Sequence, residues 1–179
     1  FATPRIGRYL ELINQLKGKA GLSAAAFELS AEEKQETLAR LGGEIYLVNP
    51  VRKYVLLRLD SLSAPSPGAT YAHRIITVEH VLPQTPAAGS QWLEDFDDDQ
   101  REHWTHRLGN LLLLNRTKNS EAQNYDFDVK KDKYFNSTKG STLFALTNQV
   151  LLYPKWTPEV VEERQRTLLA RLAKEWELT

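Results

Sequence analysis

The sequence predicts a mainly α-helical protein with one small two-stranded antiparallel β element in its middle. Apolar residues recur at helical spacing near both ends of the chain. Between those regions stand two short apolar runs. One is β-branched and is stopped by Pro83, and the other consists of the four leucines Leu111–Leu114. Runs of this length suit strands better than buried helices, so they predict the two strands of the β element.

The first two helices are predicted from periodicity and caps. The first carries an apolar stripe that ends before two glycines, and its members are Ile6, Tyr9, Leu10, Ile13 and Leu16. Ser30 and Glu33 have the spacing of a capping box, which predicts a second helix from there to Gly42–Gly43.

A third helix is predicted to start with Asn49 as N-cap and Pro50 in the first helical position. The apolar run 54–59 taken alone would also suit a buried strand, but the caps favour a helix. A connector rich in Pro, Ser and Gly follows over residues 61–68.

The middle of the chain supplies the β element. Arg74–Val78 is the first predicted strand and Leu111–Leu114 is the second. Between them, the acidic run Glu94–Asp99 is predicted to lie at the start of a helix that runs towards Trp104 and is ended by Gly109.

The remaining elements are again helical. Thr117 can cap a helix that contains Asn119, and residues 127–134 have helical spacing. An apolar stripe over residues 143–150 predicts one more helix, and Pro158 starts a long final helix that reaches Trp176.

Composition excludes several classes of protein. The 179 residues include 23 Lys+Arg and 23 Asp+Glu, and the resulting zero net charge excludes a globally basic nucleic-acid binder. An apolar fraction of 41% and a charged fraction of 26% are typical of a globular domain. Cys is absent, which excludes disulfides and Cys-ligated zinc. No apolar run is long enough to span a membrane. Because Met is absent and the chain opens at Phe1, we expect a domain cut from a larger protein.

Three of the four histidines flank the predicted β element: His80, His103 and His106. His80 lies in the phrase VEHVLP of residues 78–83, and His106 opens the phrase HRLGN, which runs on through LLLLNRTKN to Asn119. The first phrase resembles the opening of HNH nucleases, also called ββα-metal or His-Me finger nucleases. The second resembles their Asn-bearing strand and the helix after it.

A more specific resemblance covers about Pro50 to the C-terminus. The phrases EHVLPQ, HRLGNLLLLN and KNSEAQNYDFDVKKDKYF, with the closing ERQRTLLARLAKEW, resemble the C-terminal nuclease domain of GmrSD-type modification-dependent restriction enzymes and related phage-defence proteins. The resemblance implies an HNH core over residues 69–140. The N-terminal helical part, 1–68, would pack on that core, and the C-terminal helices, 141–179, would complete the same domain.

Phosphodiester hydrolysis needs a base for water and a cation for the developing charge. A neutral histidine held rigidly at a strand end suits the base, so His80 is the candidate. The Glu79 carboxylate and the Asn119 amide are hard oxygen ligands of the kind that suit Mg²⁺, for which Mn²⁺ can substitute. Most HNH openings carry Asp where this sequence has Glu79. Asn110 is expected to orient His80 from the neighbouring loop.

Two further histidines leave alternatives open. His106 could contact the scissile phosphate or could pack beneath the β element, and His103 is expected to serve packing or to lie at the surface. A zinc pair of His103 and His106 would have helical i, i+3 spacing, but the sequence shows no third soft ligand for it.

A local basic excess follows the β element. Residues 101–139 hold eight Lys/Arg against five Asp/Glu, a net charge of +3. Arg116, Lys118 and Lys130 are the expected contacts to DNA phosphates, with little sequence preference.

The expected function is a metal-dependent DNA endonuclease in the bacterial cytoplasm. It would be the nuclease module of a larger restriction or phage-defence protein whose sensor domain lies outside this chain. The alternatives are an inactive binding module with an HNH fold and an RNA-directed HNH toxin.

Overall fold

The structure is a computed structural model that describes residues 2–64, 76–115, 124–132 and 144–179. The predicted strand residues Arg74 and Ile75 lie outside these ranges, as does the predicted helix that bears Asn119. The predicted boundaries at 68/69 and 140/141 also fall outside them, so the division into three parts stays a prediction.

Three helices build the N-terminal part, as predicted. They are α1 (Ala2–Lys17), α2 (Ala31–Gly42) and α3 (Asn49–Ser63). The predicted capping box is present in α2, because the side chains and backbone N–H groups of Ser30 and Glu33 bond reciprocally. The predicted cap of α3 is wrong by one residue, since Val48 is the N-cap and Asn49 already belongs to the helix. Short 3₁₀ turns, including one at Ile45–Leu47, connect these helices.

The predicted antiparallel pair of strands, called the hairpin here, is confirmed, with a shifted first strand. Strand β1 spans Ile76–His80 and pairs with β2, Leu111–Asn115. The register sets Glu79 opposite Leu112 and His80 opposite Leu111. Pairing thus continues two residues past the predicted end of β1, because the leucine run offers backbone partners to residues 79 and 80 whatever their side chains.

The connection between the strands holds two short helices instead of the single one predicted. They are α4 (Gln91–Asp95) and α5 (Asp98–Trp104). Asp97 starts the second helix, since its side chain accepts a hydrogen bond from the Gln100 backbone in a second capping box. A 3₁₀ turn at residues 108–110 then leads into β2.

Within residues 124–132 and 144–179, three helices follow the hairpin: α6 (Phe127–Lys130), α7 (Ala145–Leu151) and α8 (Pro158–Glu175). The long final helix begins at Pro158, as predicted, and Trp176 is its C-cap. Among the described residues, no helix combines the length and the hydropathy that crossing a membrane requires.

Strand β2 is buried on both faces, which explains four consecutive leucines in place of an alternating pattern. Leu111–Leu114 are all fully buried. Leu111 and Leu113 face one hydrophobic cluster, which is completed by Leu56 and Leu59 of α3 together with side chains of α7 and α8. Leu112 and Leu114 face a second cluster around Trp92, Phe96 and Trp156. Helices from both ends of the chain therefore fix the hairpin in place.

Gly109 marks a close approach between the turn before β2 and helix α8. A Cβ atom on Gly109 would lie 2.5 Å from the Val161 carbonyl oxygen and 3.1 Å from the Gln165 Cβ. The Gly109 N–H donates to the Gln165 side-chain oxygen at 2.6 Å. The predicted helix breaker is thus also a packing requirement, and it fixes the position of the residue after it, Asn110.

Candidate active site

His80 is the last residue of β1 and its side chain is 5% exposed. Cross-strand neighbours share a face, so His80 lies on the same face as Leu111. Its Nε2 atom lies 3.3 Å from Nδ1 of His106, and its Nδ1 atom lies 3.4 Å from the side-chain nitrogen of Gln84. The structure therefore brings together two of the three predicted catalytic residues.

Tyr46 joins this histidine pair from the 3₁₀ turn before α3. Its ring stacks on His106, with centroids 5.3 Å apart, and meets His80 edge to face at 4.1 Å. The Tyr46 backbone N–H also donates to the His106 carbonyl oxygen at 3.1 Å. Sequence analysis missed Tyr46, because nothing in its local sequence signals a contact with a residue 60 positions further along the chain.

The surroundings keep His80 neutral. Burial is the main reason that its pKa is lowered to about 3, and electrostatic interactions with His106, Lys130 and Arg52 contribute to this shift in that order of effect. An uncharged imidazole retains a lone pair that can accept a proton. Neutrality is the state that the predicted base function requires.

Asn110 holds the loop that follows His80. Its side-chain oxygen accepts from the Leu82 N–H at 2.7 Å, and its side-chain nitrogen donates to the carbonyl oxygens of Leu82 and Thr105 at 2.9 and 3.0 Å. The backbone carbonyl of Asn110 accepts from the Val81 N–H at 2.9 Å. Asn110 is fully buried. These bonds fix the backbone beside His80, and the Asn110 side chain does not face the surface.

Glu79 lies on the opposite face of the hairpin from His80, because successive side chains of a strand alternate. Its carboxylate forms an ion pair with Lys130, whose Nζ lies 3.3 Å from Oε1. Burial raises the pKa of the Glu79 carboxyl, and Lys130 offsets part of that rise. The side chain stays 14% exposed.

Lys130 is fully buried and is therefore not available to DNA phosphates at the surface, which corrects the expectation for this residue. Its ammonium donates to the carbonyl oxygens of His80 and Val81 at 2.8 and 3.0 Å, besides the pair with Glu79. Burial lowers its pKa, and Glu79 counteracts that shift. Lys130 thus ties α6 to the end of β1, in the same way that Asn110 ties β2 to the following loop.

The donor chemistry expected for a hard cation is present in part. Glu79 provides a partly exposed carboxylate, which suits Mg²⁺, an ion that keeps several waters and needs few protein ligands. Asn119, the second expected ligand, lies outside the described residues, and so do Arg116 and Lys118. Within the described ranges, no three His, Asp or Glu side chains cluster as a metal site. His103 contacts Trp104 edge to face, with centroids 4.5 Å apart.

A family comparison identifies what kind of domain carries this arrangement. The family model for the C-terminal domain of GmrSD restriction endonucleases matches residues 31–171. The chain belongs to this family. The match runs from the start of α2 into α8, so the GmrSD C-terminal domain contains the hairpin, both histidines of the pair and all of α3. Comparison with curated proteins and with solved structures gave no significant match.

Membership confirms the resemblance predicted from the phrases around His80 and Asn110, and it places this GmrSD C-terminal domain among restriction endonucleases, whose substrate is DNA. The matched region begins earlier than the predicted resemblance, which started at about Pro50. Helix α1 lies before it.

Proposed function

We propose that this GmrSD C-terminal domain is a metal-dependent DNA endonuclease in which His80 is the general base. The observation that carries the proposal is the buried, neutral His80 at the end of β1, in contact with His106 and Gln84. Two separate clamps, Asn110 and Lys130, hold the backbone from His80 to Leu82. A base fixed in this way loses little freedom on reaching the transition state.

The proton path follows from the contacts of His80. We assign the proton of neutral His80 to Nε2, where it is donated to Nδ1 of His106, since this leaves the lone pair on Nδ1. The Gln84 contact to Nδ1 is long, at 3.4 Å, and a water molecule can replace it. Nδ1 takes a proton from that water as the water oxygen attacks phosphorus. The bond from phosphorus to the 3′ oxygen then breaks, and the products are a 5′-phosphate and a 3′-hydroxyl that takes its proton from solvent.

Glu79 and Asn119 would hold the metal ion. When bound, Mg²⁺ or Mn²⁺ supplies positive charge that stabilises the pentacoordinate phosphate and the leaving oxygen. The chain's own residues then have distinct roles. His80 moves the proton, His106 and Tyr46 orient its ring, and Asn110 with Lys130 positions its backbone. Arg116 and Lys118 remain proposed phosphate contacts.

We propose further that the domain is the nuclease module of a larger modification-dependent restriction or phage-defence protein of the bacterial cytoplasm. DNA would be bound mostly through phosphates, with modification sensing located elsewhere in that protein. Family membership supports this proposal.

The test is nicking of supercoiled plasmid by the purified chain with Mg²⁺ or Mn²⁺, compared with the same reaction in EDTA. We expect nicked product only with metal and none from His80→Ala. Lys174→Gln, a change at an exposed position of α8, is the matched control and should retain wild-type activity. DNA binding without cleavage would favour an inactive binding module, and cleavage of RNA alone would favour the toxin alternative.

A further inference from the structure

A basic site lies between the first turns of α3 and strand β1, and Tyr46, which contacts both histidines, is among the residues that line it. A cavity of about 480 Å³ opens there, and eight described residues line it. Arg52 and Lys53 supply its charge, and no carboxylate is among the described lining residues. Lys53 is exposed and Arg52 is half-buried. A cavity with two cations and no described anion has the charge for a phosphate group.

Contacts fix Arg52 within this cavity. Its Nη1 donates to the Tyr46 carbonyl oxygen at 2.8 Å, and its guanidinium carbon lies 4.4 Å from the centre of the Tyr46 ring. A guanidinium has five N–H donors, and this bond uses one of them. The group is therefore already oriented before a ligand arrives, which reduces the entropy cost of binding.

Tyr46 connects this cavity to the proposed base. Its ring contacts both His80 and His106, as described above, and it also lines the cavity. Arg52 is close enough for its charge to lower the pKa of His80. A phosphate bound between Arg52 and Lys53 would consequently be separated from the histidine pair by one residue, Tyr46.

We propose that Arg52 and Lys53 form a binding site for a backbone phosphate of DNA, next to the phosphate that is cleaved. This inference rests on the proposed nuclease function and assigns to α3 the cationic contact that the buried Lys130 does not make. Arg52 would bind phosphate oxygens through its planar fork, and Lys53 would act as a flexible point charge.

The experiment measures binding of a fluorescent DNA duplex, in EDTA and over a range of salt concentrations, by the full chain and by Lys53→Gln and Arg52→Gln. We expect each change to weaken binding by roughly three- to tenfold, and to lower the slope of log Kd against log salt concentration by about one. Lys174→Gln is the matched control, because it removes one exposed cation of α8 that is not among the described residues lining this cavity. Thermal melts check that the variants fold, and Lys53→Gln removes no contact to Tyr46.

The outcomes separate this inference from the proposed function. If both variants bind like Lys174→Gln with the same salt slope while the wild type binds and cleaves, the phosphate site is wrong and the nuclease proposal stands. If the wild type binds DNA without cleaving it and both variants bind more weakly, the site stands and the catalytic proposal is wrong. A wild-type chain that does not bind DNA overturns the site.

Discussion

Glu79 and His80 are consecutive in the chain but lie on opposite faces of the hairpin, one beside Lys130 and the other beside His106. For the proposed metal ligand and the proposed base to act on the same phosphate, that phosphate must therefore lie at the end of β1. A small movement of the end of β1 would change the relative positions of Glu79 and His80, so we infer that Asn110 and Lys130 keep the two groups in place. Lys130 contacts both residues, since its ammonium donates to the Glu79 carboxylate and to the backbone carbonyl of His80.

Replacing the base tests the catalytic assignment. We expect His80→Ala to reduce the cleavage rate at least about a hundredfold and to leave DNA affinity nearly unchanged, because a neutral base acts on the transition state and not on ground-state phosphate binding. Plasmid nicking and duplex binding measure the two effects separately. Full activity in a clean His80→Ala preparation would contradict the role, and parallel loss of binding and activity would indicate a folding role instead.

The low pKa of His80 predicts a pH dependence of stability. The unfolded side chain titrates near 6.5 and the folded one at about 3, so between these values the unfolded state binds more protons. The contribution to stability is complete above pH 6.5 and is lost as pH falls towards 3, with a slope of up to about 1.4 kcal/mol per pH unit. Urea denaturation of the wild type should show this steeper loss relative to His80→Asn, which cannot titrate. Parallel curves for the two proteins would contradict a buried neutral His80.

Lys130 is expected to matter for stability. Lys130→Met leaves the Glu79 carboxylate and two carbonyl oxygens without their cation, and breaking a buried pair in this way costs about 3–5 kcal/mol. Urea denaturation measures the loss, and Lys155→Met, at an exposed position, is the control. If Lys130→Met has wild-type stability but binds DNA more weakly, this prediction is wrong and Lys130 contacts a DNA phosphate, as first expected.

Asn119 tests the metal site. If it is a ligand, Asn119→Ala should raise the Mg²⁺ concentration needed for half-maximal rate and lower the rate at saturation. Asn119→Asp should retain more activity than Asn119→Ala, since it keeps an oxygen ligand. If Asn119 is a helix cap, Asp and Ser replace it well, and Ala costs about 1 kcal/mol of stability with unchanged metal dependence. Mg²⁺ titrations beside thermal melts distinguish the two, and curves that superimpose on the wild type would remove Asn119 from the site.

Gly109 tests the packing of the site against α8. Gly109→Ala places a methyl group against the Val161 backbone carbonyl, which cannot move without shifting the helix. We expect a loss of about 1–3 kcal/mol in the free energy of unfolding, as for other overpacked positions. Gly89→Ala is an instructive comparison. A Cβ atom at Gly89 would meet no other atom within 4 Å, but the φ of +74° at this position disfavours any residue with a side chain. An unchanged midpoint of unfolding for Gly109→Ala would contradict this prediction, because it would mean that α8 shifts without a loss of stability.

The sequence alone allowed the three N-terminal helices, the long final helix, the hairpin and the family to be predicted, because each depends on local signals. Capping residues, Pro50 and Pro158, and the apolar periodicity placed the helices to within a few residues. The phrases around His80 and Asn110 allowed the family to be predicted, and the family model confirms it. The end of β1 was placed wrongly because backbone pairing with β2, and not side-chain type, extends it through His80.

Only the tertiary structure decided which side chains surround His80. Tyr46 reaches His106 across 60 residues, and Lys130 reaches the His80 carbonyl across 50, so neither contact leaves a local pattern in the chain. Lys130 reads as a surface cation in the sequence, but the fold buries it because the end of β1 offers two carbonyl oxygens and a carboxylate that can replace water. Local sequence thus determined the elements and the candidate base. Packing between distant elements determined the charge state of that base, and made one expected phosphate ligand a structural clamp.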